Sequence, residues 1–211
     1  MTCIVGFMEK DKVYIGGDSA GVAGLDVTVR GDEKVFVNGE FIFGFTSSFR
    51  MGNILRYNFI PPMRKEGLTD LEFLHGDFID GIMAILAKKK FAKVENNEAI
   101  GGAFLFGYRG KLYFIDSDFQ LGTSLDNYDA IGCGGNYAKG ALSALECAKG
   151  FTPKDKILIA LQSAVKHSGG VRPPFHVVEC GAEIEIEKDE EKTDKKKTKK
   201  EVKIYDQKRV W

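Results

Sequence analysis

Four β-prone runs precede the first helical stretch, and that order excludes most folds open to a chain of 211 residues. Residues 2–8 and 13–18 are apolar and are separated by Glu9-Lys10-Asp11-Lys12, which reads as a hairpin. Residues 34–37 and 41–45 follow, joined through Asn38-Gly39, the dipeptide that most strongly marks a short hairpin turn. Strands that succeed one another without an intervening helix pair as an antiparallel meander. The parallel ladder of a doubly wound sheet needs a crossover between its strands.

Helical spacing takes over at 49–59 and again at 70–90, where Leu71, Leu74, Phe78, Ile82 and Ile85 form one apolar stripe. Thr69 and Glu72 make a capping box at the start of the second of these helices. A second hairpin is predicted from 99–108 and 111–115 about Arg109-Gly110, then a strand at 128–131 that runs into Gly132-Cys133-Gly134-Gly135. Helices return at 136–149 and 153–167, the latter with Thr152 as N-cap and Pro153 in the first turn. The order strands, helix pair, strands, helix pair, strands predicts an α+β fold of four layers. Two mainly antiparallel sheets face each other in an αββα sandwich, each covered by a helix pair.

The domain is expected to span 1–181. Beyond it, 183–187 and 201–205 alternate as strands of a hairpin, and the acid- and lysine-rich run 188–200 between them reads as a solvated, mobile loop. Charge gives this chain no partner of opposite sign: 30 basic and 30 acidic residues balance, so neither nucleic acid nor an anionic membrane is indicated. No apolar run approaches the length of a membrane span, and the first residues lack the features of a signal peptide, so a cytoplasmic location is expected. Cys3, Cys133, Cys147 and Cys180 form no CxxC pair, so neither a zinc site nor a disulfide framework is expected. Asp116 and Asp118 read as turn residues ahead of cation ligands, and Gly132-Cys133-Gly134 lacks the third glycine of a dinucleotide loop because Tyr137 stands in its place.

The chemistry concentrates at the start of the chain. Removal of Met1 would put a hydroxyl and a free α-amine on the same residue, Thr2. A threonine hydroxyl becomes a useful nucleophile only when a base takes its proton, and an α-amine with an unperturbed pKa of about 7.7 to 8.0 is such a base. A nearby cation would depress that amine further, and a carboxylate would hold the cation in place. Lys34 and Asp18 are the candidates.

Asp18 follows Thr2 by sixteen residues, within Gly17-Asp18-Ser19, and Lys34 follows Asp18 by sixteen more. With the Gly-rich turn at 132–135, these spacings resemble the N-terminal nucleophile hydrolases of the proteasome β-subunit and HslV type, over the chain up to about Gly181. The resemblance implies a threonine peptidase needing no cofactor or metal, with Thr2, Asp18, Lys34 and Cys133 as catalytic residues. It further implies a polypeptide substrate paired along the main chain near Val22 and Ser47, with Gly134 at the same site and the Ser47 N–H as oxyanion donor. A homo-oligomeric ring follows by the same analogy, with the helix bearing Phe49, Met51, Ile54 and Leu55 supplying subunit contacts and an ATP-dependent unfoldase as possible partner. The sequence departs from the family pattern in two places: Cys133 stands where a serine is usual, and His167 where an acidic residue is usual. The amine-binding network is then either rebuilt with His167 and Ser168 or partly lost. The alternatives to a peptidase are a silent ring subunit and a small-molecule amidase or acylase.

Overall fold

In a computed structural model, residues 1–95 and 98–181 are described. The charged extension expected at 182–211 lies outside them. The opening meander comprises β1 (Ile4–Glu9), β2 (Lys12–Gly17), β3 (Ala20–Ala23), β4 (Asp26–Val29), β5 (Val35–Asn38) and β6 (Phe41–Phe45). Helices α1 (Phe49–Tyr57), α2 (Asp70–Phe73) and α3 (Ile79–Lys88) follow, the last two joined through Leu74–Phe78 with a kink at Gly76. Then come β7 (Lys93–Glu95), β8 (Glu98–Ile100), β9 (Phe104–Tyr108), β10 (Lys111–Ile115), β11 (Leu121–Gly122) and β12 (Tyr128–Ile131). Helices α4 (Gly135–Leu145) and α5 (Pro153–His167) and strand β13 (His176–Gly181) complete the described chain.

Two antiparallel sheets carry the architecture, one in the order β12-β1-β2-β13 and one in the order β11-β10-β9-β6-β5. Side-chain alternation sorts each strand between two cores. On β6, Phe41, Phe43 and Phe45 face α1 and α3, whereas Ile42 faces the other sheet. Cys3, just before β1, and Val5 and Phe7 on it pack under α4 and α5, whereas Ile4 points between the sheets. Three apolar layers therefore separate four layers of structure, the αββα sandwich anticipated from the sequence. The sheets approach closely: a Cβ on Gly44 would lie 2.5 Å from Ile4 Cγ2 and 2.7 Å from Ile15 Cγ2.

The tight turns form where expected, with local adjustments. Lys10 and Asp11 (φ 51° and 57°) and Arg109 and Gly110 (φ 45° and 79°) take the left-handed conformation that two-residue hairpin loops need. Asn38 itself pairs with Phe41, so the third turn is Gly39-Glu40, and the Asn38 amide instead donates to Leu55 O and Phe59 O at the end of α1. Both capping boxes, Thr69 with Glu72 and Thr152 with Asp155, are present.

Some expectations are corrected. The long helix expected at 70–90 is kinked at Gly76, whose backbone leaves helical geometry (φ −103°, ψ −107°), so one straight stripe does not run its whole length: Leu71 is exposed while Leu74, Phe78 and Ile82 are buried. The strand at 99–108 is broken between Ile100 and Phe104, and helix α4 ends at Leu145. Met51, Ile54 and Leu55 are buried against the five-stranded sheet, because the apolar face of α1 is used within the subunit, and they are not available as subunit contacts.

Candidate active site

Strand pairing brings the start and end of the first hairpin together. Ile4 pairs with Gly17, so the residues just outside that pair, Thr2 and Cys3 on one side and Asp18 on the other, are neighbours, and Asp18 N–H donates to Cys3 O at 3.3 Å. Lys34, immediately before β5, reaches across from the second sheet, fixed in turn by Phe45 N–H donating to its carbonyl at 3.1 Å.

The three side chains meet in the interior. Lys34 Nζ donates to Thr2 Oγ1 at 2.6 Å and to Asp18 Oδ1 at 2.7 Å. Asp18 is fully buried and Lys34 is 1% exposed. Such a pair is tolerable only if the remaining polar capacity is filled. It is filled by backbone donors: Cys3 N–H on Oδ1 at 3.0 Å, and Ala20 N–H at 2.9 Å and Arg172 N–H at 3.1 Å on Oδ2. Burial pulls the Lys34 ammonium below the ordinary lysine range, and the adjacent Asp18 carboxylate offsets part of that shift.

The Gly-rich turn closes on the other side of Thr2. Gly134 N–H donates to Thr2 O at 3.2 Å, and Thr2 N–H donates to Cys133 Sγ at 3.3 Å. Cys133 Sγ also lies 3.5 Å from Thr2 O and 3.2 Å from Ser168 Oγ. Gly132 has φ 92°, and a Cβ there would collide with the Thr2 carbonyl oxygen, so the turn admits only glycine without strain. Gly134 is buried behind Thr2, where a Cβ would press on Cys3, Ala164 and Val171; its place is as a support for Thr2 and not on the open cleft.

Ser168 joins this network and His167 does not. His167 ends α5 with its ring 5.4 Å from that of Tyr137 and exposed to solvent, whereas the next residue turns extended (φ −121°, ψ 120°) toward Cys133. Arg172, whose backbone N–H completes the Asp18 clamp, carries no side-chain signal by which a sequence could announce that role.

Thr2 opens onto a cleft of about 270 Å³ lined by Val22 and Ala23 of β3, Thr28 and Arg30 near β4, and Phe45 to Phe49 after β6. Ser47 takes φ 68°, and its flanking amides are occupied, Thr46 N–H by Ala103 O and Ser48 N–H by Thr46 O. Met1 lies against Gly170 at the mouth. Asp116 and Asp118 close a turn by accepting from Ser117 N–H and Gln120 N–H, and no group of metal ligands occurs among the described residues.

No profile of a known protein family matches the sequence, and no curated protein does. Solved structures match well. BPH from Thiobacillus denitrificans, a bacterial proteasome homologue, superposes with a TM-score of 0.70 at 14% identity, covering 85% of this chain and 97% of that one. The same protein in complex with epoxomicin gives 0.67 at 15%, covering 85% and 98%. Eukaryotic HslV from Trypanosoma brucei gives 0.60 at 21%, covering 85% and 99%. The fold is that of the proteasome-type N-terminal nucleophile hydrolases. In this proteasome-type fold the Thr2–Lys34–Asp18 cluster lies at one end of the sheet sandwich, where β1, β2 and the entry to β5 converge.

Proposed function

We propose that the chain is a threonine peptidase of the proteasome type, with Thr2 as nucleophile once Met1 is removed. The observation that carries this reading is the 2.6 Å contact from the Lys34 ammonium to Thr2 Oγ1 beside an open cleft, with the ammonium held by a fully buried carboxylate. A hydroxyl receiving a hydrogen bond from a buried cation is easier to deprotonate, because the charge that develops on oxygen is already compensated. The freed α-amine of Thr2 takes the proton as Oγ1 attacks an amide carbonyl, then returns it to the leaving amine. The resulting acyl ester is hydrolysed by water with the same amine as base. Cys133 and Ser168 orient that amine, and Asp18 orients Lys34. The Ser47 N–H, which has no acceptor among the described residues, holds the oxyanion. The substrate is an extended polypeptide that pairs with the main chain at Val22 and Ser47.

A homo-oligomeric ring follows on this reading from the likeness to HslV and BPH, with the sites facing an enclosed chamber and an ATP-dependent unfoldase as partner. A cytoplasmic setting is part of the same proposal; no helix among the described residues is long and apolar enough to cross a membrane.

A second reading, a ring subunit without turnover, is favoured by one observation: the Thr2 N–H rests on a thiol, a weak acceptor. Intact mass before and after exposure to a peptide epoxyketone separates the two, because the stable ring adduct needs both the hydroxyl and the free amine. Loss of Met1 with one adduct per chain, absent in Thr2→Ala, supports the peptidase. Retained Met1 in every chain supports the silent subunit, and processed Thr2 without adduct points to a small-molecule amidase.

A further inference from the structure

Arg30 is the one charged side chain among the described residues lining the cleft. It is also fixed. Its Nε and Nη2 donate to the two carboxylate oxygens of Asp32 at 2.6 Å each, and its Cζ lies 3.9 Å from the centre of the Phe49 ring. The Arg30 backbone is pinned by its N–H donating to Ser19 O at 2.8 Å, one residue from the Asp18 that holds Lys34. A bidentate carboxylate occupies one edge of a guanidinium and leaves the Nη1 edge. Nη1 has no acceptor among the described residues.

We infer that Arg30 determines specificity in this cleft, selecting an acidic side chain on the residue whose carbonyl Thr2 attacks. The inference rests on the peptidase reading and adds to it the class of bond cleaved. Asp32 cancels the guanidinium charge at long range, so the selection operates at contact. A carboxylate entering beside Phe45 and Phe49 meets pre-oriented N–H donors and forms charge-assisted hydrogen bonds. An aliphatic side chain strips water from those donors and returns nothing, and an ammonium meets a like charge. Because Asp32 and Phe49 already hold the guanidinium, little side-chain freedom is lost when substrate arrives.

The test uses the full chain and three fluorogenic peptide amides identical except for Glu, Leu or Lys before the scissile bond. The ratio of kcat/KM values on a single preparation is the readout, so partial unfolding of a variant cancels. The wild-type chain should favour Glu over Leu by at least about tenfold, with Lys the poorest. Arg30→Gln should bring the Glu-to-Leu ratio close to one, and Arg30→Glu should raise Lys above Glu. Cleavage with Leu or Lys preferred, or a Glu preference unchanged in both variants, overturns the role of Arg30 and leaves the peptidase reading standing. If none of the three peptides is cleaved and no epoxyketone adduct forms on Thr2, the peptidase reading fails and this inference fails with it.

Discussion

Thr2 Oγ1 accepts a hydrogen bond at 2.6 Å from Lys34 Nζ, a residue thirty-two positions away in the chain and at the entry to β5 of the other sheet. The contact sets the first expectation. Thr2→Ala, which keeps the backbone contacts to Gly134 and Cys133 but leaves a buried Lys34 N–H without its acceptor, should fold with stability lowered by about 1 to 3 kcal/mol and hydrolyse no peptide. Thr2→Ser restores an Oγ at the same place and should recover measurable turnover. With the α-amine as base, kcat/KM should fall on the acid side below about pH 7.7, since a neighbouring cation lowers the amine from its unperturbed value. A pH–rate profile checks this, and one with no acid limb above the pH at which the protein unfolds would contradict it.

Lys34→Met should cost about 3 to 5 kcal/mol of folding stability, because it strands the Asp18 carboxylate in the interior. The same substitution isolates a pH dependence. Because burial lowers the folded-state value of Lys34, the unfolded chain binds more protons between that value and about 10.4. Lys34 therefore makes stability rise with pH across that window, and the gain is complete only above it. Urea unfolding of the wild type and Lys34→Met at several alkaline pH values should give a difference curve with this positive slope.

Cys133→Ser replaces a weak sulfur acceptor by an oxygen between Thr2 N and Ser168 Oγ, and peptidase activity should be kept or increased. Cys133→Ala removes the acceptor at an exposed position and adds no bulk. It should lower kcat by about tenfold while leaving the melting temperature nearly unchanged, a split that steady-state kinetics beside thermal unfolding resolves.

Gly132→Ala puts a methyl group against the Thr2 carbonyl oxygen at φ 92°. The strain should cost about 1 to 3 kcal/mol. Relief by opening the turn would detach Gly134 and Cys133 from Thr2, so epoxyketone labelling should slow more than the stability loss explains.

Much of the site was legible because its side chains sit at element boundaries that the sequence marks clearly. Gly17-Asp18 ends a strand that must pair back onto residues 2–8, and Lys34 precedes the next β-prone run. What remained hidden was carried by backbone or by phase. Arg172 contributes an amide that any residue type but proline could supply. The β3–β4 hairpin, which brings Val22 and Arg30 to the cleft, is short and mostly exposed, so it lacks the buried alternation that marks the other strands. His167 and Ser168 differ by one position, and only the extended backbone at Ser168 decides which of them faces Cys133. Leu71 departs from the expected stripe because a single Gly76 inside a helical pattern does not announce the kink that breaks the helix there.

Strand β1 lies between β12 and β2, and β2 is bordered by β13, so the opening hairpin is the middle of its sheet. During synthesis its two flanking strands, the Gly132–Gly134 turn that grips Thr2 and the Arg172 amide that completes the Asp18 clamp all emerge more than a hundred residues later. On the proposed reading, a ribosome-bound chain carries Thr2 long before it has a site to use it in. The order of the strands would then act as a timer, withholding reactivity until the domain is whole.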